Sequence, residues 1–263
     1  MRRIGFLGCG KLGQALLAGW LDRGLMRPDE VLVAARQSGA QTAARLGVTA
    51  STREQVAASA ELIVLAVKPT QVDAALADLT FTPEQLVISV AAGVSRRRLE
   101  LAASPARVVR TMPNIACRVG QGATLVLSGP ADRVEDVERV CTLFGAVGIA
   151  ERVADERLFH AGTALVGSGP AFLFVAIEAM ADGAVAAGMP RATALRLAAA
   201  AVRGAGAMAF ETGEHPAALK DAVASPGGTT IAGLAVLERH ALRAALIEAV
   251  GAATKRSEEL ETT

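Results

Sequence analysis

Two glycine-rich segments of the chain carry residues whose types and spacing could do chemistry. The first, SPGGTTIAGL from Ser225 to Leu234, has two adjacent glycines, two threonines and no charge. Pro226 suits the first turn of a helix, and the glycines let backbone N–H groups approach a ligand closely. A loop that leads into a helix N-terminus offers unpaired N–H donors and the positive end of the helix dipole. The segment therefore predicts a seat for a small carboxylic acid, with threonine hydroxyls beside it.

The second segment is GCGKLG, from Gly8 to Gly13. It follows a short apolar run at residues 2–7 and precedes an amphipathic run that stops at Gly24. A G-x-G-x-x-G pattern between an opening strand and a helix is typical of a dinucleotide site. Gly8 would make the turn, Gly10 would let the backbone approach a pyrophosphate, and Gly13 would let the helix lie close to the sheet. An ordinary strand-to-helix turn is the alternative.

The end of the next strand bears on the choice of cofactor. VLVAAR, residues 31–36, ends in Arg36 with Ser38 close by, and no Asp or Glu stands there to bind ribose hydroxyls. An arginine with a nearby hydroxyl suits a 2′-phosphate, so NADPH is favoured and NADH is possible but less favoured. A solvent-facing arginine at a helix start is the alternative interpretation.

Further strands must bring other loops to the same edge. Residues 61–69, 86–94 and 107–115 are apolar runs typical of strands buried on both faces, and residues 122–129 and 145–150 add more. Alternation of these strands with helices predicts an open parallel sheet. The sequence thus predicts an α/β protein with a Rossmann-type dinucleotide-binding domain over residues 1–154.

Residues 155–263 read as an all-α domain. Helices are expected from the early 150s to Ala187 and from Arg191 to about Thr212, with Gly and Pro at the breaks. These helices are rich in Ala and Gly on several faces, which favours packing against a second subunit. The uncharged run from Leu158 to Ile177 contains polar residues and glycines, so we expect buried protein interior rather than a membrane span.

Composition excludes several other classes of function. A net charge of +1 argues against nucleic acid or an anionic membrane as partner. The three cysteines form no disulfide or metal pattern, and the N-terminus lacks a signal peptide, so we expect a cytoplasmic protein. The three histidines are scattered without metal-ligand spacing, which argues against a metal site. Ser168 does not lie in a G-x-S-x-G nucleophile motif, which argues against a hydrolase.

On these motifs the sequence resembles one family, pyrroline-5-carboxylate reductase, the last enzyme of proline synthesis. The resemblance spans essentially the whole chain and rests on GCGKLG, VKP, AAG, MPN, GSGPAF, ADGAVAAGMPR and, most specifically, HPAALKDAVASPGGTTIAGL. Val166 and Ala116 stand where the family usually has Ser and often has Pro. Neither departure removes a group that the chemistry needs.

The resemblance implies that the chain reduces the cyclic imine 1-pyrroline-5-carboxylate to L-proline with NADPH. We expect a homo-oligomer, either a dimer or an assembly of dimers. The resemblance also implies that N–H groups of Gly227, Gly228 and Thr229, with the hydroxyl of Ser225, hold the substrate carboxylate. The Thr230 hydroxyl would hydrogen-bond the ring nitrogen as the catalytic group, without a strong general base. The cofactor-binding residues would be Gly8, Gly10, Lys11, Leu12, Gly13, Arg36, Ser38, Val67, Lys68, Pro69, Ala91, Ala92, Gly93, Met112, Pro113 and Asn114.

Two other functions stay open at this point. A 3-hydroxyacid dehydrogenase-like oxidoreductase would carry a catalytic Lys on the first interdomain helix, where GTALVGSGPAF has none. A non-catalytic NADP-binding sensor fits the first half equally well, but it leaves the segment from Ser225 to Thr230 without a purpose. Lys220 and Asp221, just before that segment, are expected to fix it rather than to transfer protons.

Overall fold

A computed structural model describes residues 3–36 and 39–261. In this part of the chain a single sheet has the strand order β3-β2-β1-β4-β5-β6-β7-β8. The strands are β1 (Ile4–Leu7), β2 (Val31–Ala34), β3 (Thr49–Ala50), β4 (Leu62–Leu65), β5 (Leu86–Ser89), β6 (Arg107–Pro113), β7 (Gly122–Leu127) and β8 (Gly148–Val153).

Helices cover both faces of this sheet and then continue without further strands. They are α1 (Lys11–Asp22), α2 (Gly39–Leu46), α3 (Arg53–Ser59), α4 (Val72–Leu76), α5 (Arg96–Ala102), α6 (Val134–Gly145), α7 (Leu158–Gly162), α8 (Gly169–Ala186), α9 (Arg191–Thr212), α10 (Pro216–Ala222), α11 (Thr229–Arg239) and α12 (Leu242–Glu261). The prediction of an α/β sheet followed by an all-helical part is confirmed.

The strands are buried because both faces of the sheet are covered. Phe6 on β1 packs with Trp20 of α1 on one face, and the indole nitrogen of Trp20 donates to the carbonyl of Leu143 at 2.7 Å. Leu7, the next residue, points to the opposite face and joins Val56 of α3 in a second core layer. This arrangement explains why the strand sequences are nearly continuous apolar runs rather than alternating ones.

The sheet departs from the predicted topology at one pairing. Strands β1 to β6 are parallel, but β7 runs antiparallel to β6 and β8 runs parallel to β7. The sheet is therefore mainly parallel, as predicted, but its one antiparallel pairing was not predicted. The connection from Asn114 to Gln121 holds only a 3-10 turn, whereas a parallel crossover needs about a dozen residues or more. The short edge strand β3 was also not predicted, because two exposed residues show no period.

The chain divides into two compact units, Met1–Gly167 with Ala253–Thr263, and Ser168–Ala252. The second unit contains the hairpin of α8 and α9, closed by Ala181, Ala194 and Ala198. Small side chains here allow close helix approach. The two units divide after Gly167 and after Ala252 rather than after residue 154. The domain boundary at residue 154 stays a prediction.

The helix expected from the early 150s begins later and is not uniform. Strand β8 continues to Val153, α7 begins at Leu158, and residues 163–168 form a π-helical turn. Together Leu158–Ala186 are long and apolar enough to cross a membrane by length and composition. Little of this run is buried within the chain, so the expectation of buried interior is not met by the chain alone.

Candidate active site

The loops predicted to bind a dinucleotide follow the carboxyl ends of neighbouring strands. Leu7 at the end of β1 pairs with Ala34 of β2 on one side and with Leu65 of β4 on the other. Leu65 in turn pairs with Ser89, the last residue of β5. The chain order reverses between β1 and β4, and ligands of open α/β sheets bind at such a switch point.

The first glycine of GCGKLG is required by the backbone and by its surroundings. Gly8 has φ +80°, and a Cβ there would lie 2.5 Å from Cγ1 of Val67 and 2.7 Å from the carbonyl oxygen of Ala66. At Gly13, a Cβ would lie 3.1 Å from the Cβ of Ala66, so α1 lies close to the end of β4. Both roles agree with those expected from the motif.

Gly10 is different, because a Cβ there would meet nothing within 4 Å. It is the N-cap of α1, and no side chain caps that helix end. The first N–H groups of a helix lack intrahelical partners, and the helix dipole favours an anion beside them. Exposed Lys11 adds a positive charge at the first position, while Leu12 is half buried. This cradle fits a pyrophosphate.

Arg36 is the residue predicted to recognise a 2′-phosphate. It lies two residues beyond β2 and is exposed, in a turn. Ser38, its expected partner, lies outside the described residues. Ala34 and Ala35 place no acidic group at the strand end.

Two further loops reach the same edge of the sheet. Val67 lies against Gly8, while Lys68 and Pro69 are exposed, and Lys68 precedes a 3-10 turn. After β5, Ala91 and Gly93 are buried and Ala92 is partly exposed. Gly93 has φ +67°, a conformation that favours glycine, so the turn shape depends on that residue.

The residues at the end of β6, which were predicted to bind the cofactor, also take part in core packing and in the β6–β7 connection. Met112 is 8% exposed and packs with Leu127 and Phe159, and Pro113 is also buried. The side-chain oxygen of Asn114 accepts backbone N–H donors from Ala116 and Ala123, both at 3.2 Å. Asn114 therefore fixes the β6–β7 connection with its oxygen, which leaves its NH₂ group as the part available to a ligand.

In the second unit, the segment from Ser225 to Thr230 forms the turn that begins α11. Gly227 has φ +68°, and the N–H of Gly228 donates to the carbonyl of Ser225 at 3.1 Å. A Cβ on Gly228 would lie 2.3 Å from the Ser225 hydroxyl oxygen and 3.2 Å from the Ser225 carbonyl oxygen, so a larger residue here requires the Ser225 side chain to move. The turn thus depends on the positive φ of Gly227, and it uses the Gly228 N–H internally rather than leaving it free for a carboxylate.

The donors that this turn leaves open belong to the helix start. Gly228 is the N-cap of α11 and provides no side-chain cap, and Ala232 makes the first helical bond to its carbonyl at 3.3 Å. The N–H groups of Thr229 and Thr230 precede that bond, so they lack intrahelical partners. The hydroxyl groups of Ser225 and Thr230 are close to these donors in the sequence. The Ser225 side chain is exposed, and Thr230 is partly buried.

The charged residues before this turn contact each other. Nζ of Lys220 lies 2.7 Å from Oδ1 of Asp221 in α10. The Nδ1 atom of His215 accepts the N–H of Ala217 at 3.2 Å and so caps α10. The contact between Lys220 and Asp221 agrees with the expectation that this pair acts on structure, and His215 acts on structure as a helix cap.

A cluster of ionisable side chains in the first unit was missed by sequence reasoning. Arg110 of β6 pairs with Glu156 and Glu261, and Glu261 pairs with His160 at 2.9 Å. An arginine inside the apolar run RVVRTMP is the signal that could have revealed it, because a buried cation requires carboxylate partners.

The buried thiols are not reactive groups. Burial raises the pKa of Cys9 and of Cys117 to about 11, so both stay protonated near neutral pH. Among residues 3–36 and 39–261, no three His, Cys, Asp or Glu side chains group as metal ligands would.

Two family models match the chain. Residues 156–260 match pyrroline-5-carboxylate reductase dimerisation, and residues 3–93 match NADP oxidoreductase coenzyme F420-dependent. The exposed apolar run Leu158–Ala186 therefore lies within the segment that matches the dimerisation model.

Full-length relatives give the same result. Pyrroline-5-carboxylate reductase of Methanosarcina acetivorans is 45% identical over 98% of both chains, and that of Arabidopsis thaliana is 42% identical over 98% of this chain and 95% of its own. The crystal structure of Plasmodium falciparum pyrroline carboxylate reductase with NADP bound superposes with a TM-score of 0.89 and 28% identity, covering 99% of this chain and 98% of that one. The chain belongs to the pyrroline-5-carboxylate reductase family.

Proposed function

We propose that this chain reduces 1-pyrroline-5-carboxylate to L-proline with NADPH, as the final step of proline synthesis. The observation that carries the proposal is the α11 start, where Gly227 has a positive φ and the Thr229 and Thr230 N–H groups stay open. Such a turn suits a substrate carboxylate. The uncapped N-terminus of α1 supplies the second requirement, a place for a dinucleotide pyrophosphate.

The substrate carboxylate accepts N–H donors from Thr229 and Thr230 and the hydroxyl of Ser225. The N–H of Gly227 can join them, whereas that of Gly228 stays within its own turn. Charge-assisted hydrogen bonds of this kind are stronger than neutral ones and fix the orientation of the ring. The helix dipole adds to the attraction.

The reaction needs a hydride for the imine carbon and a proton on nitrogen. Bound NADPH supplies the hydride. The protonated imine already carries the proton, and the Thr230 hydroxyl accepts a hydrogen bond from that N–H and so holds the C=N bond in place. Positioning of this type is worth about 7–11 kcal/mol of the barrier in favourable cases, so no strong general base is needed.

The cofactor residues act as binding groups. The N–H groups at Gly10, Lys11 and Leu12 hold the pyrophosphate, with Gly8 and Gly13 shaping the turn. Residues 67–69, 91–93 and 112–114 line the nicotinamide half, with Asn114 contributing its NH₂ group. Arg36, together with Ser38, binds the 2′-phosphate, which makes NADPH preferred over NADH.

The oligomer is a dimer or an assembly of dimers. Exposed apolar side chains on α8 and α9, such as Phe174 (62% exposed) and Phe210 (67% exposed), need a cover. Their place in the dimerisation segment supports a second copy rather than lipid as that cover. A soluble enzyme fits this arrangement, and we place it in the cytoplasm because its three cysteines form no disulfide pattern.

A carboxylate-free substrate tests the proposed seat. Initial rates of NADPH oxidation are compared for 1-pyrroline-5-carboxylate and for 1-pyrroline, which has the same imine without the acid. Loss of these charge-assisted hydrogen bonds is expected to lower kcat/KM on the order of a hundredfold or more for 1-pyrroline. Equal kcat/KM values would contradict the seat, and no turnover of either imine would contradict the proposed reaction.

A further inference from the structure

A buried cluster of charges lies behind the turn that follows β5. Arg110 of β6 is 2% exposed, and its Nη1 atom lies 3.0 Å from Oε1 of Glu261 at the end of α12. The same guanidinium pairs with Glu156 and lies 4.7 Å from the centroid of the Phe159 ring. A buried cation requires carboxylate partners, and here two carboxylates converge on one guanidinium.

One carboxylate of this cluster also holds the far end of the turn. Oε1 of Glu156 accepts the backbone N–H of Arg96 at 2.7 Å. Arg96 is the first residue of α5 and follows Gly93 by three positions. Glu156 therefore joins the helix start directly to the guanidinium of Arg110.

The other carboxylate places the end of α12 against the near side of the turn. A Cβ on Gly93 would lie 3.5 Å from the Cβ of Leu260 and 3.9 Å from the backbone nitrogen of Glu261. Nε2 of His160 lies 2.9 Å from Oε2 of Glu261, and its Nδ1 lies 3.2 Å from the Ser257 hydroxyl. Three contacts thus fix the last turn of α12 over Gly93.

We propose that Glu261 and Glu156 are positioning residues for cofactor binding. Through Arg110 and the packing on Gly93, they hold the Ala91–Gly93 turn in the shape that receives the nicotinamide half of NADPH. Neither carboxylate touches the cofactor. This inference rests on the proposed function for its ligand.

The test compares Glu261→Gln with Glu258→Gln, a neutralised carboxylate that is exposed on the same helix. Cofactor affinity is measured by NADPH fluorescence titration, and amide hydrogen exchange at residues 91–96 is measured in the cofactor-free protein. In Glu261→Gln we expect the Kd for NADPH to rise on the order of fivefold, because a charge-assisted contact is weakened. Exchange in the turn is expected to be faster, while kcat at saturating NADPH changes little and Glu258→Gln matches the wild type.

A lower Tm for Glu261→Gln with unchanged Kd and unchanged exchange would overturn the proposal, since the cluster would then serve stability alone. If that variant does not fold, Glu156→Gln takes its place, because its side chain is 35% exposed and its loss is milder. The same two readouts then decide. Wild-type protein that binds NADPH but does not reduce 1-pyrroline-5-carboxylate would refute the proposed reaction, and the titration would still test the positioning role.

Discussion

The substitution Gly10→Ala separates a glycine needed by a ligand from one needed by the fold. Gly10 has φ −72° and ψ −167°, which alanine can adopt, and its Cβ would meet nothing within 4 Å. In the protein alone the new methyl group therefore causes no clash. A pyrophosphate lying against the α1 N-terminus would meet that methyl group directly.

Two small effects on stability oppose each other. Replacing Gly by Ala at a compatible position stabilises by about 0.4–1 kcal/mol through the unfolded chain. Alanine is a poorer N-cap than glycine, which costs about the same amount. The free energy of unfolding is therefore expected to change by less than about 0.5 kcal/mol, which for a chain of this size shifts Tm by about 2 °C or less.

The effect on binding is expected to be much larger. Losing one charge-assisted hydrogen bond costs about 1.5–3 kcal/mol, which raises the Kd for NADPH by about tenfold to a hundredfold. Fluorescence titration and thermal unfolding measure the two quantities on the same sample. Gly145→Ala is the matched control, because its Cβ also meets nothing within 4 Å and it lies in α6, outside the proposed site. A Gly10→Ala protein with normal Tm and a Kd within twofold of wild type would refute the proposed pyrophosphate cradle.

Three further substitutions test other parts of the account. Arg36→Ala is expected to raise the KM for NADPH by about tenfold or more and to change that for NADH less than about twofold; equal weakening would remove the 2′-phosphate assignment. Thr230→Val keeps the side-chain shape without the hydroxyl, so kcat is expected to fall on the order of tenfold or more with the Kd for NADPH unchanged; lost NADPH affinity would count against that role. Buried Gln85 donates to the carbonyls of Ala57 and Ala60, both at 2.7 Å. Gln85→Ala is therefore expected to lower the free energy of unfolding, measured by urea denaturation, by about 2–4 kcal/mol. A decrease below about 1 kcal/mol would show that these carbonyls find other partners.

The features that could be predicted from the sequence are those specified by neighbouring residues. Gly8 and Gly13 take the places that the motif requires, because their roles depend on backbone shape and on the adjacent strand. The helix Arg191–Thr212 was predicted at its observed bounds, because Pro190 and Gly213 mark its two ends. Signals of this kind lie within a few residues of the feature that they specify.

Features that depend on turn geometry or on distant partners could not be predicted in the same way. The antiparallel pairing of β6 and β7 follows from the short connection between them, in which the side chain of Asn114 accepts a hydrogen bond from Ala123. Arg110 and Glu261 are 151 residues apart, and their pairing depends on where the last helix ends. The Gly228 N–H was expected to be free, but its acceptor is a carbonyl only three residues away, which turn geometry decides.

We propose that this chain transfers a hydride from the nicotinamide to the imine carbon of a cyclic imino acid bound at the start of α11. The most direct test mixes the purified protein with 1-pyrroline-5-carboxylate and NADPH that carries deuterium at C4 on one face, with the opposite face labelled in a parallel sample. We expect proline with one deuterium at the former imine carbon from one sample and unlabelled proline from the other, as NADPH absorbance falls in step. Tight NADPH binding with no labelled proline from either sample would contradict the claim and would favour a non-catalytic binding protein.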